Sequence, residues 1–161
     1  MTNLASFSAA EVYEMAIATE RSGHTFYEAV AAAAKSDSVR KMMHYLAEAE
    51  QNHEDTFRKL RAGVGAYSAP ETYAGEEQEY INALLQSRVM PDEETARRVV
   101  AEMTDDLQAL DFALGFEKDT ILFLYEMREI VPPAEQPQID KLLQQEKAHV
   151  RLLQEFKTNR D

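Results

Sequence analysis

Apolar residues recur along this chain at alternating steps of three and four, the spacing of a helix that buries one face. Four such stripes stand out. The first reads Tyr13, Ile17, Glu20, His24, Tyr27, Ala31, and the second Met43, Leu46, Glu50, His53, Phe57, Leu60. The third reads Leu107, Leu110, Leu114, Glu117, Ile121, Leu124, and the fourth Ile139, Leu142, Glu146, His149, Leu153, Phe156. Each is apolar except near its middle, where every stripe carries a Glu.

The breaks between the stripes set the elements. Ser8 to Glu11, "SAAE", is a capping box, so the first helix is predicted from there to about Ala34. Capping residues in "KSDSVRKM" start a second helix that runs to about Ala62. "AGVGAYSAPETYAG" breaks the pattern and marks a connection. Two weaker helices follow, at about Glu76 to Ser87 and Asp92 to Met103, and read as a long crossover. Thr104, Asp105 and Asp106 open a third long helix that Pro132 and Pro133 must end; the last begins between Pro133 and Pro137 and runs to about Lys157. Four long helices with one long crossover between the second and third is the connectivity of a ferritin-like four-helix bundle, an all-α fold.

Composition agrees. The 161 residues suit one domain, 1–161, and good helix formers dominate while Gly and Pro are scarce. A net charge of −12 without a basic patch argues against nucleic acid and anionic membrane surfaces as partners. No cysteine is present, which excludes disulfides, thiolate metal sites, iron–sulfur clusters and thiol catalysis. No segment approaches the length of a membrane span, "TILFLYEM" included, and the N-terminus lacks a leader pattern, so a cytoplasmic location is expected.

Four carboxylates on core stripes are a physical problem. Burying one unpaired carboxylate costs several kcal/mol, and four converging ones repel each other besides. Two divalent cations would neutralise them, and two imidazoles would add nitrogen ligands at no charge cost. Glu50 with His53 and Glu146 with His149 are each three residues apart, on one helix face, so each pair can reach one metal. The order of the set repeats: Glu20 to Glu50 and Glu117 to Glu146 are both about thirty residues apart, each hairpin ending in Glu-x-x-His. "ERSGHTFYE" and "EKDTILFLYE" echo one another around the first Glu of each half. The competing reading is a set of surface or ion-paired residues in a Glu-rich chain.

At these six residues the sequence resembles the rubrerythrin branch of the ferritin-like di-iron proteins, over nearly the whole chain. The resemblance implies that Glu20 and Glu117 are terminal carboxylates, that Glu50 and Glu146 bridge two iron ions, and that His53 and His149 each cap one metal, with the four carboxylates carrying the chemistry. Carboxylate and imidazole also suit manganese or zinc. The chain departs from full-length rubrerythrins in lacking the cysteine-ligated rubredoxin module, so electrons must come from a separate donor such as a rubredoxin or reductase. It also lacks the additional carboxylate near the third-helix ligand, offering Leu114 in the upstream turn.

The implied function is reduction of hydrogen peroxide or dioxygen to water, a defence against oxidative stress. The alternatives are a ferroxidase serving an iron store, for which no cage-building helix is evident, and a bundle that uses metal only to hold its core. A homodimer is expected. Among the remaining residues, His24 is read as a hydrogen-bonded core histidine or an exchangeable ligand, His44 as surface, the methionines as core filler, and Tyr27 and Tyr125 as packing or as phenols that could bond a ligand or donate an electron.

Overall fold

Ser8 caps the first helix as its sequence requires: its hydroxyl accepts from Glu11 N at 3.2 Å, and the Glu11 carboxylate accepts from Ser8 N at 2.7 Å. From this cap α1 runs Ala9–Ala33, followed by α2 (Asp37–Gly63), α3 (Glu76–Gln86), α4 (Glu93–Glu102), α5 (Asp106–Ile130) and α6 (Gln136–Thr158). The computed structural model describes residues 7–70 and 75–159. Residues 1–6, 71–74 and 160–161, hence part of the N-terminal stretch and of the Ala62–Gly75 connection, lie outside the described residues. Ser36, Asp92 and Asp105 cap α2, α4 and α5 through bonds from Val39, Thr95 and Gln108 N. Asp106 is buried and accepts from Ser36 N at 3.2 Å, which ties the α1–α2 turn to the start of α5.

The four long helices form a ferritin-like bundle, and α3 and α4 make its crossover. α1 packs on α2, α4 and α5, while α5 packs on α6 and α3. Arg88, between α3 and α4, donates to Thr19 Oγ1 at 3.1 Å, Val89 N donates to Asp119 at 2.9 Å, and Thr25 donates to Glu93 at 2.8 Å. These bonds hold the crossover along α1 and α5. Among the described residues, the crossover helices pack mainly on α1 and α5 rather than on α2 or α6.

The apolar core falls into two clusters. One gathers Phe26, Val30, Met43, Leu46, Leu110, Leu114 and Leu153; the other gathers Tyr13, Ile17, Phe57, Phe123, Leu124, Ile139 and Leu142. Between them, at mid-height on all four long helices, lies the Glu and His layer.

Most stripe positions are buried, with corrections at the edges. Leu107 is 43% exposed, and His24, Leu60, Ile121 and Phe156 are half-buried. At 3.6 residues per turn Leu107 sits roughly 80° around α5 from Glu117, so a fixed alternation of three and four drifts off the buried face over that distance. Among the described residues, no helix is long and apolar enough to cross a membrane.

Candidate metal centre

Glu20 comes from α1, Glu50 and His53 from α2, Glu117 from α5, and Glu146 and His149 from α6, and all six are buried. They form two overlapping groups. Ligand atoms of Glu20, Glu50, His53 and Glu146 lie within 4.8 Å of one another, as do those of Glu50, Glu117, Glu146 and His149. Glu50 and Glu146 therefore belong to both groups, while Glu20 and Glu117 belong to one each. The imidazoles stack with ring centroids 5.7 Å apart, and both turn Nδ1 toward the carboxylates. His53 Nδ1 lies 2.9 Å from Glu146 Oε1 and 3.6 Å from Glu20 Oε2; His149 Nδ1 lies 2.9 Å from Glu146 Oε2 and 3.5 Å from Glu117 Oε1.

Electrostatics show what this crowding does. Burial pushes the Glu20 and Glu50 carboxyls far above their usual range, and neighbouring carboxylates add to it. Burial likewise raises Glu117, to about 7, against the opposing pull of His149. At Glu146 burial also works upward, but the bond from His149 and the nearby His53 imidazole overcome it and hold this carboxyl well below its usual range. For the two imidazoles burial opposes the charged form, yet the surrounding carboxylates win and lift His53 to about 9 and His149 to about 10. Without cations, the cluster neutralises itself by retaining protons.

A sequence model of the rubrerythrin family matches residues 11–157, nearly the whole chain. The chain belongs to the rubrerythrin family. A crystal structure from Thermotoga maritima, described as a ferritin-like diiron-carboxylate protein, is similar over 96% of this chain and 97% of that one, with 25% sequence identity and a TM-score of 0.73. No curated protein matches.

The donor set of this rubrerythrin-family chain fits a pair of cations. Glu20 Oε2, both Glu50 oxygens, Glu117 Oε2, Glu146 Oε1 and His53 Nδ1 are buried without a hydrogen-bond partner among the described residues. His53 Nδ1 and Glu146 Oε1 illustrate the point: they approach to 2.9 Å but are misaligned for a hydrogen bond, both turned toward the same small volume. Orphaned donors at such density are rare in a folded interior and point to missing positive charge. All are oxygen or nitrogen, the set that iron, manganese and zinc accept.

Two neighbours shape the cluster. Tyr27 is fully buried and donates its phenol O–H to Glu117 Oε1 at 2.5 Å, so it bonds a carboxylate of the opposite helix. Gly23 is the other. A Cβ there would lie 2.7 Å from Glu50 Oε2 and 2.7 Å from the Phe116 ring, so only glycine leaves room for the Glu50 carboxylate. Gly23→Ala is expected to displace Glu50, with about 1–3 kcal/mol lost to overpacking. Metal content per chain should fall below that of the parent protein; an unchanged content would show that Glu50 has room to move.

The remaining sequence expectations sort out cleanly. His24 belongs to neither donor group; its Nδ1 lies 3.0 Å from Ala47 O, and so it serves as a hydrogen-bonded histidine of the α1/α2 pair. His44 is at the surface beside Glu28. Tyr125 is 44% exposed beneath Lys147, and forms neither part of the cluster nor of the core. Tyr27 lies seven residues after Glu20 but Tyr125 lies eight after Glu117, and one residue turns a helical side chain by about 100°. Leu114 is buried in the apolar cluster. Gly23 could have been noticed as a mid-helix glycine three residues after Glu20, a position that carries a helix penalty. Gln145, which bonds His53 from across the bundle, left no such signal.

A cleft of about 320 Å³ opens between α2 and α6, lined by Tyr45, Glu48, Asn52, His53, Gln145 and His149. It brings solvent to the outer edges of the two imidazoles.

Proposed function

We propose that the chain is a di-iron oxidoreductase that reduces hydrogen peroxide, or dioxygen, to water with electrons from an external donor such as a rubredoxin or reductase. The observation that carries this reading is the pair of overlapping donor groups sharing Glu50 and Glu146. In it Glu50 and Glu146 would be shared by the two metals, Glu20 and Glu117 would be the terminal carboxylates, and His53 and His149 would each serve one metal. Family membership and the likeness to a diiron-carboxylate protein favour iron over manganese or zinc.

When bound, two ferrous ions supply one electron each, and two protons complete the conversion of one peroxide to two waters. The chain's own groups do the rest. Four carboxylates balance the charge of two divalent cations. Tyr27 holds Glu117 in place, and the apolar clusters above and below exclude bulk water from the carboxylate layer. The absence of cysteine leaves no thiolate-held relay within the sequence, which is why the donor is assigned to another protein.

The test is to remove metal anaerobically, add excess ferrous iron, and measure retained iron and peroxide consumption under turnover with a chemical or protein reductant. About two irons per chain with peroxide consumed supports the proposal. Tens of irons per chain held as soluble mineral would replace it with iron storage. Two metals bound without redox turnover, and unfolding on their removal, would replace it with a metal-held structural bundle.

A further inference from the structure

The two halves of the cluster are alike in their ligands and unlike in what stands behind them. His53 Nε2 lies 3.0 Å from the carboxamide oxygen of Gln145, which reaches across from α6. An amide oxygen only accepts, so Nε2 carries a hydrogen, and Nδ1, which faces Glu20 and Glu146, is the nitrogen left to bind a cation once it gives up its own proton. His149 has no such support. Its Nδ1 faces Glu146, Glu117 and Glu50, but its Nε2 has no hydrogen-bond partner among the described residues, and its ring lines the cleft edge-on to the exposed Tyr45.

The sequence repeat explains the difference. Gln145 stands one residue before Glu146 and four before His149. The residue at the same place in the other half, one before Glu50 and four before His53, is Ala49. Ala49 lines the same cleft, but a methyl group cannot accept a hydrogen bond.

We propose that Gln145 is a positioning residue that fixes the orientation and tautomer of His53, making the two metal positions unequal: the His53 position binds more tightly, and the His149 position exchanges its metal through the α2/α6 cleft. The inference rests on the two-metal reading and deepens it. An N–H acceptor behind a metal-bound imidazole raises ligand basicity and removes rotational freedom, and losing one costs about 10–100-fold in affinity. His53 has that acceptor and His149 does not.

The test uses the full chain, stripped of metal and titrated anaerobically with zinc against a competing chelator. The parent protein is expected to show two affinities. Gln145→Leu should weaken the tighter one by about 10–100-fold and leave the other in place, whereas Gln145→Glu, which still accepts, should keep it tight. Ala49→Gln should tighten the weaker step. In the zinc-loaded protein one histidine Nε2–H should exchange slowly with water by NMR, and Gln145→Leu should abolish that protection. Because Gln145 is exposed and Ala49 half-buried, these variants leave the apolar core intact. Two equal affinities in the parent, or equal loss at both steps in Gln145→Leu, would overturn the role of Gln145 while leaving the two-metal reading standing. Failure of the parent to bind zinc at all would overturn both.

Discussion

Glu50→Ala is expected to reduce metal binding from two ions per chain to one or none, and to abolish the rise in melting temperature that metal confers. Glu50 contributes to both donor groups, so its removal damages both at once, whereas loss of Glu20 or Glu117 leaves one group complete. Glu146→Ala should behave similarly. A ligand present at a thousandfold its dissociation constant stabilises a fold by about 4 kcal/mol, which for a chain of this size is a shift of about 8–16 °C per metal. The metal-free variant should go the other way. Its parent buries a carboxylate whose charged form is strongly disfavoured, so metal-free Glu50→Ala should melt at or above the temperature of the metal-free parent. The opposite signs separate binding from folding. A variant that still holds two metals per chain would remove Glu50 from the bridging role.

The second large effect is the removal of pH dependence by metal. In the metal-free protein Glu117 is raised from 4.5 to about 7, Glu20 and Glu50 are raised well above their usual range, and His53 and His149 are raised from 6.5 to about 9 and about 10. Each of these groups holds a proton in the folded state that the unfolded chain releases at lower pH. Stability must therefore fall as pH rises: the carboxyl contribution from about 4.5 upward, and the histidine contribution from about 6.5 until it is lost near pH 9 to 10. Glu146 runs opposite, since its depressed carboxyl contributes stability above about 4.5 that disappears only in strong acid. The balance across pH 6.5 to 9 is a loss on the order of a few kcal/mol, because each tenfold difference in proton affinity between the folded and unfolded chain is worth about 1.4 kcal/mol. Metal binding needs the same groups deprotonated, so affinity should increase over that range and the loaded protein should keep its melting temperature. Thermal melts of loaded and stripped protein between pH 6 and 9 check this. A stripped protein with a flat profile would show that the buried groups are not protonated as described.

Much of the architecture was legible because its signals are local. Ser8 with Glu11, Asp92 and Asp105 cap their helices through hydrogen bonds spanning three residues, and a spacing of three residues needs no knowledge of the fold. Glu20, Glu50, Glu117 and Glu146 were conspicuous for a related reason: a carboxylate in the middle of an apolar stripe is costly wherever that stripe is buried. Spacing was less dependable over longer distances. Leu107 was expected in the core and is exposed, and Tyr125 looked like the counterpart of Tyr27 but points to solvent. In both cases a small error in helical phase, accumulated over several residues, carried the side chain off the buried face.

The sequence by itself determined the helices, their order around a long crossover, and the identity of the six residues that meet at mid-bundle, because periodicity, caps and misplaced charge are written within single helices. Only the tertiary structure decided the distances that bring the six into two overlapping groups, which opposing carboxylate Tyr27 bonds, why Gly23 must lack a side chain, and that Gln145 supports His53 while both imidazoles line one cleft. Each of these depends on how far one helix stands from another and how it is rotated about its axis. Those quantities are set by the packing of all four helices together, and no single stretch of sequence contains them.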